Sequence, residues 1–302
     1  MRVMLERLYP LGLTMTVVED AIIVAAGLGS RMLPTSAYLP KESIPLVDIP
    51  AFIHLVREAA EAGVKRIHVI TSRSKNFGNF FQDKSNLKKL KPEISPELFD
   101  PGNGMEISYH IQSEPLGLGH AILQSLESIQ GPFLVLLGDN ILCTDFSGIK
   151  DFKPSIASKR LVSNFVKTNL PCAGIFSVPE NEISNYGVVK LDDGKIVQIV
   201  EKPDSKDAPS DKVLCGRYIF TQDAKDLLEN KFTVETHGEL QSIAIQKYWM
   251  EGVGLVGVDL SDHQWYDSGK PLSWLKSQID YGLRNPDYSL ELSRWLKSRL
   301  SK

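Results

Sequence analysis

Ala21-Ile-Ile-Val-Ala-Ala-Gly-Leu-Gly-Ser-Arg-Met-Leu-Pro34, continued by Pro40-Lys41-Glu42-Ser-Ile-Pro-Leu-Val47, is the stretch of this 302-residue chain whose reading decides the fold. Residues 18–26 form a short apolar run bounded by glycine, the pattern of a buried strand. That strand empties into a turn holding Gly27 and Gly29. Glycines let backbone N–H groups approach phosphate oxygens with no Cβ in the way. Arg31, and Lys41 ten residues later, can offset the charge of such a ligand, so the arrangement suits a polyphosphate.

Outward from this turn, residues 50–63 carry Ile53, Val56, Arg57 and Ala60 at helical spacing and stop at Gly63. Residues 66–71 are a second β-rich run, so strand, helix and strand predict a right-handed parallel crossover. Residues 105–111 read as a third strand and 117–128 as a helix opened by a Gly-Leu-Gly turn. Residues 132–137, the most apolar strand, end at Gly138-Asp139-Asn140. This alternation predicts an α/β fold with a Rossmann-like, doubly wound sheet. Residues 72–104 are polar and read as a solvated helical insertion with loops.

The second half changes texture after a composition shift near 145–172. Short β-rich runs at 173–178, 187–191, 196–201 and 213–220, with the turn Asp192-Asp193-Gly194, predict mixed or antiparallel strands beside the parallel core. Helical patterns return at 222–229, 238–251, 271–283 and 288–300, the last with Leu292, Trp295, Leu296 and Leu300 on one stripe. The expected organisation is an extension over 1–16 and a single domain over 17–302. Within it lie a half at 17–145, a second half at 146–285 and a C-terminal helix at 286–302.

Composition narrows the class. The chain is 42% hydrophobic and 24% charged, ordinary for a globular protein. A net charge of −3 leaves no basic excess for nucleic acid. No apolar run reaches the ~18 residues of a membrane span, and residues 1–20 lack the apolar core of a signal peptide. Cys143, Cys172 and Cys215 are scattered, as expected of reduced thiols in a cytoplasmic protein.

Four constellations could carry chemistry. A dinucleotide fingerprint needs a third glycine where Met32 stands; Asp48 is near the spacing of a ribose-binding acid, but hydride transfer has no use for Arg31 and Lys41. Gln112, at the end of a strand and followed by Gly117-Leu-Gly119-His120, can offer both an acceptor and donors to a pyrimidine edge, with His120 structural at the helix start. Asp139 stands at the carboxyl end of the most apolar strand, where open α/β sheets bind ligands, and a carboxylate there suits Mg²⁺. Glu201-Lys202-Pro203 lies between Tyr186-Gly187 and Gly216-Arg217: Glu201 can accept from sugar hydroxyls and Lys202 can pair with a phosphate.

These motifs, in this order, resemble those of the sugar-nucleotide pyrophosphorylases, and within them the bacterial and archaeal UTP–glucose-1-phosphate uridylyltransferases, whose first motif reads roughly AGLGTRFLP…PKEMLP. The resemblance runs from about residue 20 to the C-terminus. It implies a nucleotidyltransferase fold with an added small β-rich, sugar-binding part. It implies that Ala26, Gly27, Gly29, Gln112 and Gly117 contact the nucleotide, and that Tyr186, Gly187, Glu201, Lys202 and Gly216 contact the sugar. Arg31, Lys41 and Lys202 take the catalytic roles, and Asp139, with Asp267 of Trp265-Tyr-Asp-Ser-Gly269, holds Mg²⁺. Gly238-Glu239-Leu240-Gln241 resembles a site-wall segment.

The reaction implied is attack of a sugar 1-phosphate on UTP in the cytoplasm by a homodimer or homotetramer, with neither nucleic acid nor membrane as partner. A dTTP-dependent glucose-1-phosphate thymidylyltransferase and a non-catalytic, sugar-nucleotide-binding regulatory paralogue are the alternatives. Two lysines usual in the family are replaced by Ala37 and Ile49, which opens the question of what replaces their charge.

Overall fold

The structure, a computed structural model, describes residues 17–233, 240 and 242–300. Its strands begin with β1 (Asp20–Val24), the two-residue β2 (Pro45–Leu46) and β3 (Ile49–Pro50), β4 (Arg66–Thr71), β5 (Glu106–Ile111), β6 (Phe133–Leu137) and β7 (Asn140–Cys143). They continue with β8 (Cys172–Ser177), β9 (Gly187–Asp192), β10 (Lys195–Glu201), β11 (Lys212–Phe220), β12 (Val256–Asp259) and β13 (Gln264–Asp267). The principal helices are α1 (Ala51–Glu61), α2 (Leu118–Leu123), α3 (Ala157–Thr168), α4 (Ser242–Glu251), α5 (Pro271–Arg284) and α6 (Ser289–Leu300).

β1 and β6 are apolar almost throughout because both of their faces are covered. Ala21 and Ile23 join Leu134, Leu136, Ile67 and Val69 on one face, under Phe52, Leu55, Val56 and Ala59 of α1 and Leu161 and Phe165 of α3. Ile22, Ile70, Phe133 and Val135 face the other way, toward Ala121, Ile122, Ile245 and Trp249. A nine-stranded sheet results, ordered β5-β4-β1-β6-β11-β8-β12-β10-β9. β5, β4, β1 and β6 are mutually parallel, while β11 runs antiparallel to both β6 and β8. The α/β expectation therefore holds, and the β-rich second half extends the same sheet.

The chain winds outward from β1 in both directions, to β4 on one side and β6 on the other. Such a reversal opens a crevice at the carboxyl ends of the strands. The glycine turn after β1 and Asp139 after β6 both face it.

Several elements differ from the sequence reading. The helix expected over 117–128 stops at Leu123, because Ser125 turns its hydroxyl back onto the Ile122 carbonyl (3.0 Å), and a 3₁₀ turn follows at Leu126–Ser128. Residues 72–104 hold one α-turn (Ser85–Lys88) and short 3₁₀ turns rather than helices, since Pro92, Pro96 and Pro101 lack the donors a longer helix needs. Residues 222–229 form a single turn (Ala224–Asp226) that widens into a π-turn at Leu227–Lys231. α3 falls in the stretch read only as a composition shift, yet Leu161 and Phe165 recur one helical turn apart and are buried. Short β7, β12 and β13 were not anticipated. Residues 1–16 and the segment Gly238, Glu239 and Gln241 lie outside the described residues.

Cys143, Cys172 and Cys215 are free, buried thiols, and burial pushes Cys172 and Cys215 up to about 12. Among the described residues no helix is long and apolar enough to cross a membrane. On α6, Trp295 and Leu300 stay exposed, so its stripe is only partly covered.

Candidate active site

The glycine turn is shaped by Gly29, whose φ of 68° is left-handed and whose carbonyl accepts from Ser36 Oγ at 2.8 Å. Met32 inserts into the core, leaving Arg31 exposed at the mouth of the crevice. The following segment folds inward instead: Lys41 and Glu42 are both buried. Glu42 is paired with Lys75 (2.9 Å), and Lys75 also donates to the Ala25 carbonyl at 2.7 Å. Burial raises the Glu42 carboxyl and lowers the Lys75 ammonium, against their mutual attraction. This pair staples the Pro-Lys-Glu segment beneath the turn, a role not legible before the fold.

Gly138 brings Asp139 against that staple. Its N–H donates to the Val24 carbonyl at 2.9 Å, and a Cβ there would lie 2.6 Å from the same oxygen, so only glycine permits the approach. Lys41 Nζ then reaches Asp139 Oδ2 at 2.6 Å. Burial works to raise the Asp139 carboxyl, but the charge and hydrogen bond of Lys41 outweigh it and hold it below the ordinary carboxylate range.

Asp267 comes from 128 residues downstream. β7 and β13 form a two-stranded antiparallel ladder that sets Asp267 opposite Asn140, beside Asp139, and Ser268 N–H donates to the Asp139 carbonyl at 2.9 Å. The Asp267 carboxyl is raised, first by burial and further by the Asp139 charge, against the N–H of Gly269 and the charges of Arg31 and Lys41. A Cβ built on Gly269 would sit 2.8 Å from Asp267 Oδ1 and 3.1 Å from Arg31 Nη2, so the guanidinium and this carboxylate flank one point.

A cleft of about 740 Å³ joins these groups to the second half of the chain: Arg31, Asp139, Tyr186, Lys202 and Asp267 all line it. Lys202 adopts a left-handed φ of 44° and donates its N–H to the Tyr186 carbonyl at 3.0 Å, which seats Lys202 at the cleft wall. Gly187 and Glu201 are directly paired across β9 and β10, and a Cβ on Gly187 would lie 3.0 Å from Glu201 Oε2. Gly216 has a φ of 76° in an irregular part of β11, where a Cβ would lie 2.5 Å from Asn140 Nδ2. Ala26, Gly27 and Gly29 stand on the turn itself.

Gln112 and Gly117 are placed apart from this cleft, beyond β5 at the same carboxyl edge of the parallel strands. Gln112 Nε2 donates to the Gly117 carbonyl at 3.0 Å and lies 3.2 Å from His120 Nδ1.

Other lining residues were not singled out in the sequence. Trp265 packs on Tyr186 with ring centroids 4.9 Å apart and donates to Asn140 Oδ1 at 3.2 Å. Lys270, the residue that precedes α5, and Lys276 on α5 line the wall. Lys270 directly follows the Trp-Tyr-Asp-Ser-Gly motif, a signal the sequence did offer. The replaced lysine positions also resolve differently. Ile49 is buried with Ile53 and Phe152, away from the cleft, whereas Ala37 is exposed on the segment between Arg31 and Lys41. Asp48 accepts from Tyr288 at 2.6 Å, a structural tie to the C-terminal region rather than a ribose contact.

The donor set suits a hard divalent cation: two carboxylates share one cleft, and the proton affinity of Asp267 is raised in part by the negative charge of Asp139. Cations and carboxylates facing one another across such a cleft can hold a phosphorylated ligand.

The profile of the family described as nucleotidyl transferase matches residues 20–282. The UTP–glucose-1-phosphate uridylyltransferase of Bacillus subtilis (strain 168) is 33% identical over 298 residues, covering 94% of this chain and 98% of its own length. That of Streptococcus pyogenes is 32% identical over 295 residues, covering 93% and 94%. Among solved structures, a UTP-bound pyrophosphorylase (UGPase) from Acinetobacter baumannii superposes with a TM-score of 0.78 at 28% identity, covering 93% of this chain and 99% of that one. A UDP-glucose pyrophosphorylase complexed with UDP-glucose gives 0.73 at 29% identity, covering 88% and 98%.

Proposed function

The chain belongs to the nucleotidyl transferase family, among its UTP–glucose-1-phosphate uridylyltransferases, and we propose that it makes UDP-glucose and pyrophosphate from UTP and glucose 1-phosphate. The observation that carries this reading is the single cleft shared by Arg31, Lys202, Asp139 and Asp267, four side chains from four separate segments.

A phosphate oxygen of the sugar 1-phosphate attacks the α-phosphorus of UTP in line. The new P–O bond forms as the bond to the β-phosphate breaks, and pyrophosphate carries off the electron pair. Both substrates are polyanions, and two unit negative charges 4 Å apart repel by roughly 4 kcal/mol at an effective dielectric near 20. Charge neutralisation and alignment are therefore the main tasks. Arg31 and Lys41 neutralise the triphosphate and the departing pyrophosphate. Lys202 aims the sugar phosphate, Tyr186, Gly187, Glu201 and Gly216 hold the sugar, and Ala26, Gly27, Gly29, Gln112 and Gly117 hold the nucleotide. A sugar phosphate is already an anionic nucleophile at neutral pH, so no general base is required, and among the described residues no histidine lines the cleft.

Asp139 and Asp267 are the residues to hold Mg²⁺, which would offset charge on the phosphate oxygens. In this reading residues 17–145 form the nucleotide-binding half, 146–285 the sugar-binding half and 286–302 a C-terminal helix. The partly exposed stripe of α6, with Trp295 and Leu300, supports self-association as a homodimer or homotetramer, and a cytoplasmic location belongs to the same reading. Pyrophosphate release, measured across UTP and dTTP and a set of sugar 1-phosphates with Mg²⁺, tests the reading. Release is expected with UTP and glucose 1-phosphate, and none with any pair would overturn it in favour of a binding protein. Uracil and thymine differ by one methyl, worth only ~1–3 kcal/mol in a pocket, so the dTTP arm reads base choice directly.

A further inference from the structure

We propose that Lys41 is the resident counter-ion of Asp139 before substrate arrives, that it competes with a divalent cation for that carboxylate, and that the phosphates of the nucleotide draw it away. The inference rests on the preceding assignment of Asp139 as a metal ligand, and adds the order in which charges enter the site.

Lys41 Nζ lies 2.6 Å from Asp139 Oδ2, with side-chain exposures of 10% and 26%. A divalent cation on the same carboxylate would stand within a few ångströms of that ammonium, and their repulsion means that each weakens the hold of the other on Asp139. The backbone of Lys41 is not free to withdraw. It follows Pro40 and precedes Glu42, which is 1% exposed and clamped by Lys75, itself bonded to the Ala25 carbonyl on the rim of the glycine turn. What can move is the four-carbon stem of the lysine, a flexible tether for a compact charge. Arg31 makes no direct ion pair with Asp267, but the two flank one point beside Gly269 and the charge of Arg31 acts on that carboxylate. Before ligand binds, each carboxylate thus has a cation of the protein's own at hand, and an incoming triphosphate offers both cations a stronger partner. Releasing Lys41 toward the phosphates exposes Asp139 at the moment the nucleotide needs a metal beside it.

One substitution should therefore move two affinities in opposite directions. Lys41→Met in the full-length chain should bind Mn²⁺ alone about tenfold more tightly than wild type, read by the electron paramagnetic resonance of free Mn²⁺. The same variant should bind UTP in EDTA at least tenfold more weakly, read by calorimetry. Lys41→Arg, which keeps the charge, should bind Mn²⁺ as wild type does. Adding Asp139→Asn to Lys41→Met should abolish the gain. A merely structural lysine would weaken both affinities together. Thermal melts establish folding, and Lys41→Gln serves the same purpose if the methionine variant does not fold. Mn²⁺ affinity no tighter than wild type, or unchanged binding of metal-free UTP, overturns the inference. Pyrophosphate release by the wild-type enzyme reports separately on the function it rests upon.

Discussion

Arg217 and Glu58 form a bidentate ion pair in the interior, with Nε to Oε1 at 2.7 Å and Nη2 to Oε2 at 2.9 Å and no exposure of the guanidinium. The same Nη2 donates to the Asn140 carbonyl at 2.7 Å, and Ser158 donates to Glu58. A group on the central sheet is thereby tied to α1, to α3 and to the residue after Asp139. Burial opposes the charge of Arg217, and Glu58 more than restores it, raising the guanidinium above its ordinary value.

Removing one member of this pair leaves the other charged and dry. Arg217→Met or Glu58→Gln should each lower stability by roughly 3–5 kcal/mol, while the double variant should lose less than the sum. Urea denaturation of the four proteins checks this; additive losses would show that the two groups do not interact.

Asp139 and Asp267 should be individually indispensable. Replacing either with asparagine preserves the side-chain volume and removes one negative charge, and turnover should fall by about a hundredfold or more with the fold intact. Pyrophosphate release alongside circular dichroism is the measurement, and full activity of Asp267→Asn would remove it from the site.

Gly138→Ala should act on both stability and activity. The added Cβ would meet the Val24 carbonyl at 2.6 Å and force β6 away from β1, moving Asp139 with it. A cost of about 1–3 kcal/mol is expected, with a lower kcat. Wild-type behaviour would mean that this strand end can shift freely.

His54 makes stability depend on pH. It is 8% exposed, its Nε2 has no partner, and burial lowers its pKa to about 4. The folded pKa lies below the unfolded value of about 6.5, so the unfolded chain takes up the proton first as pH falls. Stability is therefore present at neutral pH and is lost between about pH 6.5 and 4, by about 2 kcal/mol between pH 7 and pH 5. His54→Phe, set beside Phe152 and Tyr281, should abolish that share of the acid sensitivity, as read from urea midpoints at the two pH values. An unchanged slope would refute the assignment.

The two replaced lysine positions should respond oppositely. Ile49→Lys buries an unpaired charge among Ile53 and Phe152 and should destabilise by several kcal/mol without helping catalysis. Ala37→Lys adds an exposed charge near the glycine turn and should lower the KM for UTP about two- to fivefold, with stability unchanged. An unchanged KM would place Ala37 too far from the phosphates.

Local pattern determined much of this protein. The apolar run at β1, the glycine turn, the helical spacing of α1 and the carboxylate after β6 are each written within a few residues, because side-chain periodicity and glycine's freedom of φ act over that range. Resemblance supplied the distant members, including Asp267 and Lys202, by motif and not by contact. The short ladder of β7 and β13, the early end of α2 and the burial of Ile49 depend on what packs from elsewhere, and no local pattern declares them.

The sequence by itself thus determined an α/β sheet and an inventory of cations and carboxylates suited to phosphorylated ligands. Only the tertiary structure decided that Lys41 meets Asp139 across 98 residues, and that Glu42 turns inward to Lys75 while Arg31 stays at the surface. Registers such as Asp267 opposite Asn140 follow from which segments share a core, and that is settled by burial between parts of the chain that are neighbours only after folding.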